Sequence, residues 1–369
     1  MMKSLRDFQL EGKRVLVRCD FNVPLDEQGN IVDDFRIQES MQTIQYARER
    51  GAKVILLAHL GRPTTIFQIG ETSNSKSQIP SRSQIQKEES LKPIAQRLQQ
   101  LLNQKITFIE DPIGEKAEKQ IEMMKPGDVV LLENIRFYKG EEENDPAFAK
   151  LLASLGEVYI NEAFSVNHRA HASLVGIPKF LPSAAGLLLE KEVEALGKVV
   201  KDPTRPVVVI IGGTKIESKT HFLEEMCQLA DEVLVGNPVF NEIQSKNLAP
   251  KGREKIVGPA DGIPSQEQAL DIGPETVKLY AAKIAKAKTV FWTGPLGKAE
   301  EEEYAKGSLA VAKAIIASGA FSVVGGGDLV GFLDTHGLRD KFSHVSTGGS
   351  AMLAFLSGEE LPGLKALEI

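Results

Sequence analysis

The feature that most constrains this chain is a recurring unit, a short apolar run that ends abruptly in a polar or glycine-rich turn. In the first half these runs are Lys13-Arg14-Val15-Leu16-Val17-Arg18, Lys53-Val54-Ile55-Leu56-Leu57-Ala58, Val129-Val130-Leu131-Leu132 and Gly156-Glu157-Val158-Tyr159-Ile160. Apolar runs this short read as buried strands, and helical spacing follows them, as at Ile37, Met41, Ile44 and Ala47. Strands alternating with helices predict an α/β class with parallel sheets covered on both faces, in which ligands bind at the carboxyl ends of strands. A length of 369 residues, 42% of them hydrophobic, supports two domains with separate cores.

The chemistry of the turns differs between the halves. In the first, the strands run into Asp20 and Asn22, into His59-Leu60-Gly61-Arg62, into Arg136, and into His168-Arg169-Ala170-His171, with Arg36 opening the first helix. Arginine suits phosphate and carboxylate because its planar fork donates two parallel hydrogen bonds and keeps its charge. One arginine reads as a surface ion-pair partner, but a set that recurs after strand ends points to an anion crevice. A formal net charge of -6 excludes a general nucleic-acid binder, so a small anionic ligand fits better. The histidines lack neighbours at metal-ligand spacing and read better as hydrogen-bonding anchors.

In the second half the turns are glycine-rich: Val207–Ile211 into Gly212-Gly213-Thr214-Lys215, Val233–Val235 into Gly236-Asn237-Pro238, Thr289–Trp292 into Thr293-Gly294-Pro295, and Phe321–Val324 into Gly325-Gly326-Gly327-Asp328. Glycine lets backbone amides approach a phosphate or a flat ring. Lys215 and Lys219 stand at i and i+4, spaced to reach one phosphate chain or to form a solvated helix face. Asp328 reads either as a magnesium ligand or as a helix cap, and Glu300 opens an acidic run. Neither GxxxxGK[ST] nor GxGxxG occurs, which disfavours a P-loop enzyme or a nicotinamide dehydrogenase. Residues 182–200 predict an interdomain helix, and the Ser- and Gln-rich stretch 64–90 predicts a surface insertion or a lid. Two distant cysteines, Cys19 and Cys227, support neither a disulfide framework nor a zinc site. With no leader-like N-terminus and no apolar stretch approaching the roughly 18 residues of a span, the expected compartment is the cytoplasm.

Five runs in this order, Arg18-Cys19-Asp20-Phe21-Asn22-Val23-Pro24, His59-Leu60-Gly61-Arg62-Pro63, Leu131-Leu132-Glu133-Asn134-Ile135-Arg136-Phe137, His168-Arg169-Ala170-His171-Ala172-Ser173 and His344-Val345-Ser346-Thr347-Gly348-Gly349, closely resemble phosphoglycerate kinase. The likeness covers nearly the whole chain except about 64–90 and 237–260. It implies two Rossmann-like parallel-sheet α/β domains: a phosphoglycerate-binding domain over 1–181, an interdomain helix over 182–201, a nucleotide-binding domain over 202–355, and a tail over 356–369 returning to the first domain. Carried over by position, Asp20, Phe21, Asn22 and Arg36 would hold the phosphoglycerate, with His59, Leu60, Gly61, Arg62, Arg136 and Arg169. Arg36 and Lys215 would be catalytic, Lys215 following the moving phosphoryl group. Gly213, Lys219, Glu300, Gly326, Gly327, Asp328 and Leu329 would hold ADP or ATP, with Asp328 on the accompanying Mg2+. The implied reaction is reversible transfer between 1,3-bisphosphoglycerate and ADP, giving 3-phosphoglycerate and ATP in glycolysis and gluconeogenesis, with closure about a hinge excluding water. The implied partners are these small molecules alone, without nucleic acid or membrane, and the implied state is a monomer.

The departures cluster in the second half. Gly236-Asn237-Pro238 stands where the family usually has three glycines beside the adenine, a helix and strand are missing before Asp261, and Thr293, Lys298-Ala299, Leu329 and Ser350 replace family residues. Two expectations follow: a working kinase with an altered nucleotide pocket, or a protein that binds phosphoglycerate but transfers phosphate weakly or not at all.

Overall fold

A computed structural model describes residues 2–63, 89–213, 220–248 and 250–368. Most of the insertion expected at 64–90, together with Lys215 and Lys219, lies outside the described residues. The chain divides into two compact units, Met1–Lys191 with Leu361–Ile369, and Glu192–Glu360.

The first unit is built on β1 (Arg14–Arg18), β2 (Lys53–Leu57), β3 (Thr107–Ile109), β4 (Val129–Leu132), β5 (Val158–Asn161) and β6 (Ser183–Ala185). These form one parallel sheet in the order β3-β4-β2-β1-β5-β6. The chain moves outward from β1 to β2 on one side and later returns to β5 on the other, so the strand order reverses between β1 and β5. Register pairs Arg18 with Leu57 and with Asn161, so the turns after all three strands leave the same edge together. Every residue of β4 and β5 is buried. Continuous apolar runs such as Val129–Leu132 suit a sheet covered on both faces, each fully buried Val or Leu contributing about 1.5–3 kcal/mol.

The second unit contains β7 (Val207–Ile211), β8 (Glu232–Val235), β9 (Ile256–Val257), the antiparallel pair β10 (Gly262–Ile263) and β11 (Asp271–Ile272), then β12 (Thr289–Thr293), β13 (Phe321–Gly325) and β14 (His344–Ser346). Its six-stranded sheet runs β14-β13-β12-β7-β8-β9, again parallel, with its reversal between β7 and β12. Ile211 pairs with Val235 and Thr293, and Thr293 with Gly325, so Gly212, Gly236, Gly294 and Gly326 leave one edge side by side. Trp292 is fully buried in this unit's apolar core.

The stretch 182–200, expected as one helix, begins instead with β6, because Ala184 and Ala185 complete a ladder with Ile160 and Asn161. The helix itself is Leu187–Val200, and the boundary between the units falls within it. Its first turn is anchored by Thr43, whose hydroxyl accepts from Leu187 N at 2.8 Å, and by Glu162, whose carboxyl oxygens lie 3.3 Å from Leu188 N. A side chain at Gly186 would displace that carboxyl group, since a Cβ would stand 1.8 Å from Glu162 Oε2. Further along, Glu192 is buried and accepts from Thr347 N at 2.6 Å and Thr347 Oγ1 at 2.8 Å, with His344 Nε2 at 2.8 Å. Among the described residues no helix is long and apolar enough to cross a membrane.

Candidate active site

In the first unit the turns after β1, β2, β4 and β5 are tied into one network. Asp20 accepts from Arg36 Nη1 at 2.7 Å and from Asn22 N at 3.0 Å, and the Ser165 hydroxyl donates to it as well. Asn22 Oδ1 accepts from Gly61 N at 2.9 Å, and Gly61 O accepts from Arg136 Nη1 at 2.9 Å. The turn His59–Arg62 is thus clamped between two predicted site residues, and Asn134 Nδ2 donates to Leu60 O at 2.7 Å from beneath. Arg62, Arg136 and Arg169 line one cavity of about 340 Å3 with Pro63 and Glu142. Glu142 Oε1 stands 3.4 Å from Arg136 Nε, and Arg169 Nε donates to His168 Nε2 at 3.3 Å.

Phe21 and Leu60 are core residues, whose side chains hold the turns rather than face the cavity. His59 is almost fully buried. Burial, followed by the guanidinium charges of Arg18, Arg136, Arg36 and Arg169, holds its imidazole well below the usual pKa and therefore neutral. Burial, followed by the charges of Arg136, Arg18, Arg169 and His168, brings His171 to about 3, so that the cationic character of the His168–His171 run does not come from His171. Arg136 falls to about 10 through burial and the neighbouring arginines and remains a cation at neutral pH. Three guanidiniums on one cavity with a single carboxylate, Glu142, leave an excess of positive charge, held in fixed geometry at a sheet's reversal point and prepared for an anion.

In the second unit a cavity of about 680 Å3 opens at the reversal between β7 and β12. Gly213, Pro238, Pro295, Leu270, Glu300 and Asp328 are among its walls. Gly212 N donates to Thr293 O and Gly213 N to Pro295 O, each at 2.8 Å, joining the two loops backbone to backbone. Gly326 precedes the helix Gly327–Thr335 with a φ of 105°, so Gly327 and Asp328 occupy the first turn, where free amides and the helix dipole favour a phosphate. Leu329 packs into the apolar core, with no exposed side chain.

Asn237, expected to crowd a ring in this pocket, turns away from it. Its side chain is 1% exposed and donates from Nδ2 to Asp271 O at 3.1 Å. Asp271 is itself buried and accepts from Gly307 N at 2.7 Å and Ile272 N at 2.9 Å, while burial raises its carboxyl to about 6 against the opposing effect of those bonds. Sequence reasoning missed Asp271, Glu141 and Glu142, which belong to no local pattern. Arg18, Asn134 and Ser173 stood inside recognised runs and could have been singled out there.

The family model for phosphoglycerate kinase matches residues 5–252 and 238–359. The two stretches overlap over residues 238–252. The chain is 41% identical to the phosphoglycerate kinase of Koribacter versatilis (strain Ellin345) over 414 aligned positions, covering 99% of this chain and 98% of that one. It is 40% identical to that of Dictyoglomus turgidum (strain DSM 6724 / Z-1310), again covering 99% and 98%. Among solved structures, phosphoglycerate kinase from Coxiella burnetii is similar with a TM-score of 0.82 at 33% identity, over 100% of this chain and 99% of that one. The enzyme from Pyrococcus horikoshii OT3 is similar with a TM-score of 0.85 at 31% identity, over 100% and 98%. Near-complete coverage in both directions, together with two parallel-sheet units that each carry a cavity at the strand-order reversal, shows that the chain belongs to the phosphoglycerate kinase family of enzymes.

Proposed function

We propose that the chain catalyses reversible, Mg-dependent phosphoryl transfer between 1,3-bisphosphoglycerate and ADP, giving 3-phosphoglycerate and ATP, as a cytoplasmic monomer. The observation that carries this reading is the convergence of Arg62, Arg136 and Arg169 on one cavity. Phosphoglycerate carries a carboxylate and a phosphate, and three guanidiniums match that charge with bidentate geometry. Asp20 and Asn22 orient Arg36 and the Gly61 turn, and His59 offers a neutral hydrogen bond.

The second-unit cavity takes the nucleotide, with Glu300 toward the ribose and Gly213, Gly326, Gly327 and the backbone at Leu329 toward the phosphates. Lys215 and Lys219 are assigned by their place in the sequence, Lys215 with Arg36 neutralising the transferred group and Lys219 the nucleotide phosphates. Among the described residues no group of three or more His, Cys, Asp or Glu could cage a metal, while Asp328 supplies one carboxylate to the cavity. One carboxylate suits a magnesium ion brought by the nucleotide, and Asp328 is the residue that would hold it. The ion would supply charge neutralisation along the phosphates, and the chain's own residues position the reactants and balance the developing charge.

The alternative, a binder without transfer, drew on crowding at Gly236-Asn237-Pro238 and on the segment missing before Asp261; the inward turn of Asn237 removes its side chain from the first ground, while Pro238 lines the cavity. The test is phosphoryl transfer from Mg-ATP to 3-phosphoglycerate by the purified chain, with Lys215→Ala as the control. Turnover that vanishes in the variant supports the reading. Absence of turnover in the wild-type chain, alongside calorimetric binding of 3-phosphoglycerate that Arg169→Ala abolishes, refutes it.

A further inference from the structure

Arg18, the last residue of β1, is fully buried, so its charge is not at the cavity surface. Its guanidinium is held on three sides. Nε donates to Ser173 Oγ at 2.8 Å, Nη1 donates to the Cys19 carbonyl oxygen, and Nη2 lies 3.2 Å from His59 Nδ1. Ser173 in turn donates from Oγ to Glu141 Oε1 at 2.6 Å and from N to Oε2 at 2.9 Å. Glu141, also fully buried, stands 4.0 Å from Arg18 Nη2 as the counter-charge. Glu141 and Ser173 therefore orient the fork, and the fork meets the imidazole.

A guanidinium has donors only, so the ring nitrogen facing it must present a lone pair. His59 is neutral for the reasons given above, and a neutral imidazole with its lone pair on Nδ1 carries its proton on Nε2. The choice matters for an anionic ligand, because Nε2–H attracts a carboxylate or phosphate oxygen whereas a lone pair there repels it. We propose that Arg18 is a positioning residue that locks His59 in the Nε2–H tautomer, making His59 an obligate hydrogen-bond donor to the anionic substrate. This deepens the reading of the phosphoglycerate site and rests on it. Arg18 acts through His59 and does not touch the substrate.

The tautomer can be read directly by long-range 1H–15N correlation spectra of the full chain labelled on histidine nitrogen, with the His59 signals assigned from their absence in His59→Gln. The wild-type chain should show Nε2–H at His59, Arg18→Met should show a mixture of tautomers, and Arg18→Lys, which restores a donor, should recover the wild-type pattern. In parallel, Arg18→Met should weaken calorimetric binding of 3-phosphoglycerate by the factor to which the Nε2–H population falls, about twofold for an even mixture, and leave ADP binding unchanged. An Nδ1–H or imidazolium His59 in the wild-type chain overturns the proposal whether or not the variants fold. So does Arg18→Met with full 3-phosphoglycerate affinity. Failure of the wild-type chain to bind 3-phosphoglycerate overturns the functional reading and the positioning role together, whereas normal binding with the wrong tautomer overturns the positioning role alone.

Discussion

Gly212→Ala offers a sharp test of where the nucleotide sits. A Cβ at this position would stand 2.1 Å from Pro295 O and 2.5 Å from Gly294 O, both backbone atoms that no side-chain rotation can move aside. To reach an ordinary contact the loops after β7 and β12 must separate by roughly 1 Å, which stretches the two 2.8 Å bonds, Gly212 N to Thr293 O and Gly213 N to Pro295 O, beyond hydrogen-bond range. At about 0.5–1.5 kcal/mol each, their loss should destabilise the second unit by about 1–3 kcal/mol. Trp292 is the chain's one tryptophan and is buried in that unit, so its fluorescence follows the unfolding. Gly213 and Pro295 both line the cavity, and a displacement of about 1 Å in a positioning element costs on the order of 100-fold in rate. The variant should therefore lose about 100-fold in kcat/KM for nucleotide while calorimetric binding of 3-phosphoglycerate, whose proposed ligands lie in the first unit, is unchanged. A folded variant with wild-type ADP affinity and turnover would refute the assignment of the nucleotide to this loop pair.

Two further outcomes follow from individual carboxylates. Burial raises the Glu162 carboxyl to about 8, so the folded chain holds a proton that the unfolded chain releases near the ordinary 4.5. Stability should then fall as pH rises between those values, by on the order of 3 kcal/mol from pH 5 to pH 8 for this group, and Glu162→Gln should remove that component in scanning calorimetry. A pH dependence identical in the variant contradicts the assignment. Asp328→Asn should weaken ADP binding about tenfold in the presence of magnesium, yet leave it equal or tighter in chelator, because the carboxylate then only repels the phosphates. Equal weakening in both conditions would show that Asp328 serves the helix and not the ion.

Much of the architecture is legible without coordinates because it is written at short range. An apolar run of four or five residues followed by a turn residue declares a buried strand and its carboxyl end, and this placed the arginine-bearing and glycine-rich turns before any sheet was known. The same logic failed over 182–186, where helical spacing continues from Leu188 back through Ala185, yet Ala184 and Ala185 join the edge of the first sheet. Propensity at such a boundary is worth tenths of a kcal/mol, and a ladder partner far away in sequence outweighs it.

The sequence by itself determined the class of fold, the family and the identity of the charged groups, since each depends on which residues follow one another. Only the tertiary structure decided which of those groups meet water. Arg18 and Arg62 look alike in the sequence, but one is enclosed beside Glu141, Ser173 and His59 while the other lines a cavity. Asn237 reads as an obstruction until β11 supplies Asp271 O as its partner. Burial and hydrogen-bond partnership depend on distant segments closing over one another, as Arg18 and Ser173 do across 155 residues, and closure of that kind leaves no trace in the local pattern of either segment.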